Sequence, residues 1–147
     1  MADPERLLCD TSFVGHVGKR LAKPERYLHW DRETVERIEK AVLEISVMSV
    51  AEARFGYLKA DWGQPRIQAE EARLAGFVQV PLDALVIDEW ARFRLLRKTE
   101  GWAIGDNDLW IAATASTRGH PLVTCDEGQA RLGADPALEV VFLPVPS

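Results

Sequence analysis

Short apolar runs alternate with longer amphipathic stretches along this chain, and the alternation predicts an order of elements. Residues 7–10, Leu-Leu-Cys-Asp, are an apolar run ended by an acid and read as a first strand. Thr11 and Ser12 are favoured helix caps, so a helix is expected from there to about Leu21, interrupted by Lys23-Pro24. A second helix is expected to begin at Asp31, because Val35, Ile38, Val42 and Ile45 recur at helical spacing. Residues 43–47 also read as a second strand, which puts the change from helix to strand near Glu44. Ser49-Val50-Ala51-Glu52 has the form of a capping box, with Ser49 as the cap and Glu52 three residues on. Phe55, Leu58 and Trp62 continue one helix face, and Gly63-Gln64-Pro65 ends it.

The second half repeats the alternation. A helix is expected over 67–77 and an extended segment over 78–82. Asp83 is placed to cap a helix running to about Lys98, with Leu85, Val86, Trp90, Phe93 and Leu96 facing inward. Asp106 is placed to cap a helix from Asn107 to about Arg118. His120-Pro121 leads into a strand over 122–124, a last strand spans 138–143, and Pro144-Val145-Pro146 ends the fold. Such an order predicts an α/β sandwich, a central and mostly parallel sheet flanked by helices. With no internal repeat, low-complexity segment or linker, residues 1–147 are expected to form a single domain.

Composition narrows the function classes. Apolar residues make up 47% of the chain, enough for a core, and charged residues 28%, which suits a water-soluble protein. No apolar run approaches the ~20 residues that span a bilayer. The start, Met-Ala-Asp-Pro-Glu-Arg, has mixed charge and is not a signal peptide. Cys9 and Cys125 lack metal-ligand spacing. A cytoplasmic location with free thiols is expected. The net charge of −5 argues against a non-specific basic nucleic-acid binder. Much of that charge belongs to a few acids with a separate chemical reading, so a polyanionic substrate is not excluded.

Those acids are Asp10, Glu52, Asp108 and Asp126, each following or flanking a short apolar run. In a parallel sheet the carboxyl ends of the strands share one edge, and ligands bind there. Two like charges ~4 Å apart repel by roughly 4 kcal/mol at an effective dielectric of about 20. A fold that gathers four carboxylates is expected to neutralise them with a divalent cation. The pattern therefore points to a metal-dependent enzyme acting on phosphate. Each acid alone has a plainer reading: Asp10 as a helix cap, Glu52 in a capping box, Asp126 in a turn. Asp106 and Asp108 compete for one role, with Asp106 assigned to the cap and Asp108 to the metal, and Asp106 left an outer contact. Thr11, Ser12 and Thr124 are read as caps and hydrogen-bond partners for carboxylates, with Ser12 or Thr124 placed to orient a ligand or touch a phosphate. His16, His29 and His120 show no metal spacing and are read as structural. The basic groups on the helices are read as solvated faces, able to guide RNA only where one borders the acids.

Segments 8–12, 45–52, 106–115 and 122–126 together resemble the PIN-domain family, and most closely the VapC-type toxin ribonucleases of toxin–antitoxin operons. Asn107-Asp108-Leu109-Trp110-Ile111-Ala112-Ala113 is the most specific of these matches, and the segments come in the family's order over nearly the whole chain. The resemblance implies a PIN-like, Rossmann-like three-layer sandwich. It implies an endoribonuclease that cuts single-stranded RNA with Mg²⁺ or Mn²⁺ held by Asp10, Glu52, Asp108 and Asp126. It also implies a cognate antitoxin and a homodimer, expected through helices bearing Trp62, Ile67 or Phe77. Cys125 stands where the family often carries a basic or polar residue. Two other classes compete: a receiver-type signalling domain and a catalytically inactive PIN-like binding module. A receiver needs paired acids after strand 1 and a lysine late in the sheet, and this chain has neither. The presence of all four acids weighs against the inactive module.

Overall fold

The structure, a computed structural model, describes residues 2–147. Its centre is a five-stranded sheet in the order β3-β2-β1-β4-β5 with every neighbouring pair parallel. The strands are β1 Arg6–Cys9, β2 Val42–Ser46, β3 Val78–Val80, β4 Leu122–Thr124 and β5 Val140–Phe142. Central strands of a parallel sheet are covered on both faces and read as unbroken apolar runs. β1 follows that rule, since Leu7, Leu8 and Cys9 are all fully buried. Alternation along each strand divides the core in two. Leu7, Cys9, Ile45 and Val123 pack with Phe13, Trp30 and Ile38 on one face. Leu8 and Leu122 pack with Phe93, Leu109, Ile111 and Leu132 on the other. The helices that supply these layers are α1 Thr11–Ala22, α2 Arg32–Lys40, α3 Val47–Lys59, α4 Gln64–Leu74, α5 Val86–Glu100, α6 Asp106–Arg118 and the single turn α7 Glu127–Ala130. Among the described residues no helix is long and apolar enough to cross a membrane.

The helix ends correct several expectations. Asp10, not Thr11 or Ser12, caps α1, its carboxylate accepting from the Phe13 N–H at 2.9 Å. α2 ends at Lys40 and β2 begins at Val42, so the helix gives way at Ala41 and not near Glu44. The helical spacing of Val42 and Ile45 was overridden by pairing, since these two lie opposite Arg6 and Cys9 of β1. Ser46 caps α3 by accepting from the Met48 N–H at 3.1 Å, which places Ser49 and Glu52 inside the helix and dissolves the proposed capping box. Phe55 and Leu58 do not continue a buried face but are 64% and 70% exposed. α4 starts at Gln64, three residues earlier than expected, with Pro65 in the first turn where a missing N–H does no harm. Leu85 is 74% exposed in the turn before α5, where Asp83 accepts from its N–H at 2.9 Å. Gly105 occupies the cap position of α6, and Asp106 is its first residue. Gly101 and Gly119 end α5 and α6 at φ +70° and +68°, the left-handed conformation that glycine adopts without a Cβ penalty.

Cys9 and Cys125 are buried and unbridged. Burial raises the Cys9 thiol pKa well above its ordinary value, and burial with the nearby Asp10 charge pushes Cys125 up to about 12. The thiolate is the reactive form. The native protein is therefore expected to resist a thiol reagent at pH 8 and to release two reactive thiols on denaturation. Fewer than two in the denatured protein, prepared without oxidant, would contradict this.

Candidate active site

The carboxyl ends of β1, β2 and β4 form the edge where the acids gather. Asp10 directly follows β1, Glu52 lies in the second turn of α3 beyond β2, Asp108 is the third residue of α6, and Asp126 stands two residues beyond β4. Asp10 is only 2% exposed. Its Oδ1 accepts from the Phe13 N–H and from the Ser12 hydroxyl at 2.7 Å, and its Oδ2 accepts from the Thr124 hydroxyl. Thr124 Oγ1 also accepts from the Asp126 N–H at 3.0 Å, and Ser12 Oγ accepts from the Cys125 N–H at 3.1 Å. One pair of hydroxyls thus fastens the first acid to the turn that carries the last. Burial raises the Asp10 pKa, hydrogen bonds from Thr124, Phe13 and Ser12 oppose that rise, and the charge of Asp126 adds to it.

Glu52 is tied to α1 by the Thr11 hydroxyl, which donates to Oε1 at 3.0 Å and lies 2.8 Å from Ser49 Oγ. Asp108 is half-buried, and its pKa is raised to about 6. Burial is the largest cause, followed by the charges of Asp10, Asp126 and Glu52, with a backbone hydrogen bond at Gly105 pulling the other way. Asp108 therefore feels all three of the other acids. The buried Gln129 donates from Nε2 to the Asp108 carbonyl at 3.0 Å and holds α7 against the start of α6. Asp126 is exposed and caps α7, accepting from the Gly128 N–H at 2.8 Å.

Asp106 departs from the role expected of it. Its carboxylate accepts from Arg97 at 2.8 Å, an exposed ion pair that lowers its pKa. Glu52, Gly105, Asp106, Asn107 and Asp108 line a shallow hollow of about 350 Å³ that holds no basic residue. Among the described residues no three His, Cys, Asp or Glu side chains stand close enough to grip a metal ion by themselves. The donor set is open and entirely oxygen, which fits a hard divalent ion that keeps several waters better than a closed cage of side chains. The histidines lie elsewhere: His16 meets Tyr27, His29 meets the Pro144 carbonyl, and His120 meets Glu44 at 2.7 Å.

The sequence marks Thr11 as a cap and a carboxylate partner without singling out Glu52, and it gives no sign of Gln129. Thr11 had a sufficient local reading as a cap. Gln129 carries no motif, and only the packing of α7 on α6 reveals its contact.

The PIN domain family model matches residues 7–135. The chain is 34% identical over 98 residues to "Ribonuclease VapC5" of Mycobacterium tuberculosis, a match covering 65% of this chain and 73% of that protein. It is 33% identical over 129 residues to "VapC ribonuclease Y4jK" of Sinorhizobium fredii, covering 82% of this chain and 86% of that protein. Its fold is similar to that in the crystal structure of VapBC-5, a member of the VapBC family of toxin–antitoxin systems from Mycobacterium tuberculosis. That comparison gives a TM-score of 0.65 at 28% identity, covering 97% of this chain and 100% of the matched one.

Proposed function

Because the chain belongs to the PIN-domain family, we propose that it is a metal-dependent endoribonuclease of the VapC type, the cytoplasmic toxin of a toxin–antitoxin pair, acting on single-stranded RNA. The observation that carries this reading is the placement of the acids at the carboxyl edge of the sheet: Thr124 joins Asp10 to the turn that carries Asp126, and Glu52 and Asp108 line one hollow. The reaction is hydrolysis of a phosphodiester. Asp10, Glu52, Asp108 and Asp126 would hold Mg²⁺ or Mn²⁺, which supplies charge neutralisation and lowers the pKa of a bound water. The chain's own residues then have distinct tasks. Ser12 and Thr124 fix both oxygens of Asp10, leaving its carboxylate one orientation. Thr11 steadies Glu52 across the gap between α1 and α3. Asp108, raised to about 6 by burial and by the other acids, would give up its proton when a cation binds and stand as an ionised ligand. Asp126 is exposed on its turn and open to water. The Arg97 contact leaves Asp106 a supporting role at the rim.

Thr124→Val tests the support given to Asp10. A hydrogen bond to a charged group contributes about 1.5–3 kcal/mol. The variant is expected to melt lower and to cleave RNA about tenfold or more slowly, about one decade per 1.36 kcal/mol of barrier. Unchanged cleavage would remove Thr124 from the site.

Two partners belong to the proposal. A cognate antitoxin would place a basic residue in the acidic hollow, and an arginine could bridge two carboxylates with its planar fork. Replacing that arginine should restore cleavage. A homodimer would form through α3 and α4, where Phe55 and Leu58 of α3 are exposed; Ile67 lies on α4, and Trp62 lies in the turn between the two helices and not on a helix. Phe77 is packed on the core and is less suited to that contact. Light scattering at micromolar concentration tests the dimer. The ribonuclease reading is tested by incubating the purified chain with end-labelled single-stranded RNA and Mn²⁺. Discrete internal cuts are expected, and intact RNA would refute it.

A further inference from the structure

The acidic hollow meets a cationic groove at one ion pair. Arg97 donates to Asp106 at 2.8 Å and to the Ile104 carbonyl at 2.7 Å, so the carboxylate borders the hollow and the guanidinium borders the groove. The groove, about 440 Å³, is lined by Trp90, Ala91, Arg94, Leu95, Arg97 and Lys98, all from α5. Arg94, Arg97 and Lys98 stand at i, i+3 and i+4 and share one helix face. No carboxylate lines that face.

The cations of α5 are not equivalent. Arg92 is engaged by Glu89 and Asp135, and Arg97 by Asp106. Arg94 and Lys98 make no ion pair among the described residues. Arg94 is held instead over the Trp90 ring, 5.1 Å from its centroid, and Trp90 stacks on Trp110 at 4.7 Å and 16°. A guanidinium so placed is flat and positioned, while its charge remains available to an anion.

The ribonuclease reading creates a need for such a surface. The chain carries a net charge of −5, and a hollow lined by Glu52, Asp106 and Asp108 repels phosphate. Positive charge beside the hollow would hold a polyanion there and raise its local concentration. Resting on that reading, we infer that the α5 groove binds the backbone of single-stranded RNA next to the bond being cut, with Arg94 and Lys98 on successive phosphates. An acidic protein segment is the rival occupant. RNA is favoured because the Arg97–Asp106 ion pair places the groove beside the hollow in which the ribonuclease reading puts the scissile phosphodiester.

The test measures binding of a fluorescent single-stranded RNA by anisotropy across a salt series, in the Asp108→Asn background so that the probe is not cut. Arg94→Glu/Lys98→Glu is expected to weaken binding at least tenfold. The slope of log affinity against log salt should flatten by about 1.4, about 0.7 per phosphate contact on a single strand. Lys40→Glu, at the last residue of α2 before the amino end of β2 and so away from the carboxyl edge of the sheet, should change neither. If the double variant is unfolded by circular dichroism, Lys98→Glu alone should weaken binding and flatten the slope by about 0.7. Unchanged affinity and slope in a folded variant would overturn the inference. So would unchanged RNA binding with weakened inhibition by the antitoxin, which would make the groove a protein-docking surface. A protein with intact Asp108 that cuts RNA while the groove variants bind normally leaves the ribonuclease standing without the groove. Groove-dependent binding with no cleavage leaves the groove standing without the ribonuclease.

Discussion

Asparagine in place of Asp108 is expected to slow cleavage of single-stranded RNA by about a thousandfold while the fold is retained. The substitution keeps the shape of the side chain and removes its charge. One anion–cation contact near 4 Å is worth roughly 4 kcal/mol at an effective dielectric of about 20, and each 1.36 kcal/mol is about tenfold in rate. Asp108 is the better position for this test than Asp10. Asp10 accepts hydrogen bonds on both oxygens, from Phe13, Ser12 and Thr124. Asparagine there would turn an N–H₂ toward one of those donors and leave buried groups unpaired. Asp10→Asn should therefore also abolish cleavage, with a lower melting temperature. Initial rates beside circular dichroism check both. Parental rates in the two variants would mean that the acidic edge is not the catalytic centre.

The same substitution is expected to raise stability when metal is removed. In the folded protein Asp108 titrates at about 6, above its ordinary value of 3.8. Between those values the folded state holds the proton more tightly than the unfolded state. Stability from this group is therefore fully present below about pH 4 and is lost as pH rises through 6. At neutral pH the metal-free protein carries the whole penalty, and Asp108→Asn does not. Asp108 is half open to water, so screening reduces the effect to about 1 kcal/mol, or roughly 2–4 °C in melting temperature. Mn²⁺ should reverse the order. A ligand at about 100 times its Kd stabilises the folded state by about 2.7 kcal/mol, and the parent should gain more of this than the variant. Equal Mn²⁺ shifts in the two proteins would contradict a metal role for Asp108.

The order of elements could be read from the chain because the parallel sheet is covered on both sides. Leu7, Leu8 and Cys9 form an unbroken apolar run, as do Leu122 and Val123, and neither depends on distant residues to be recognised. The end of α2 could not be read. Val42 and Ile45 satisfy the helical period as well as the strand, and only pairing with Arg6 and Cys9 decides between them. The start of α3 failed for a related reason. Ser49 has the form of a cap in the sequence, but β2 ends at Ser46, which becomes the cap instead. The acids were visible because each closes or flanks an apolar run. Their supports were legible only as residue types: Thr11, Ser12 and Thr124 read as carboxylate partners, but which acid each holds depends on distant contacts, Thr11 with Glu52 across 41 positions and Thr124 with Asp10 across 114. Asp106 is the first residue of α6 and not its cap, and its pairing with Arg97 of α5 could not be read because the partner lies on a different helix.

The account stands or falls on metal-dependent cutting of RNA at this edge. The most direct measurement is one time course on end-labelled single-stranded RNA, begun with Mn²⁺, interrupted with excess EDTA and resumed by adding Mn²⁺ beyond the chelator. Cleavage should proceed, stop and resume with the same products, and a parallel course with Asp108→Asn should remain flat. Cleavage that continues unchanged through EDTA, or that the variant performs at the parental rate, would contradict it.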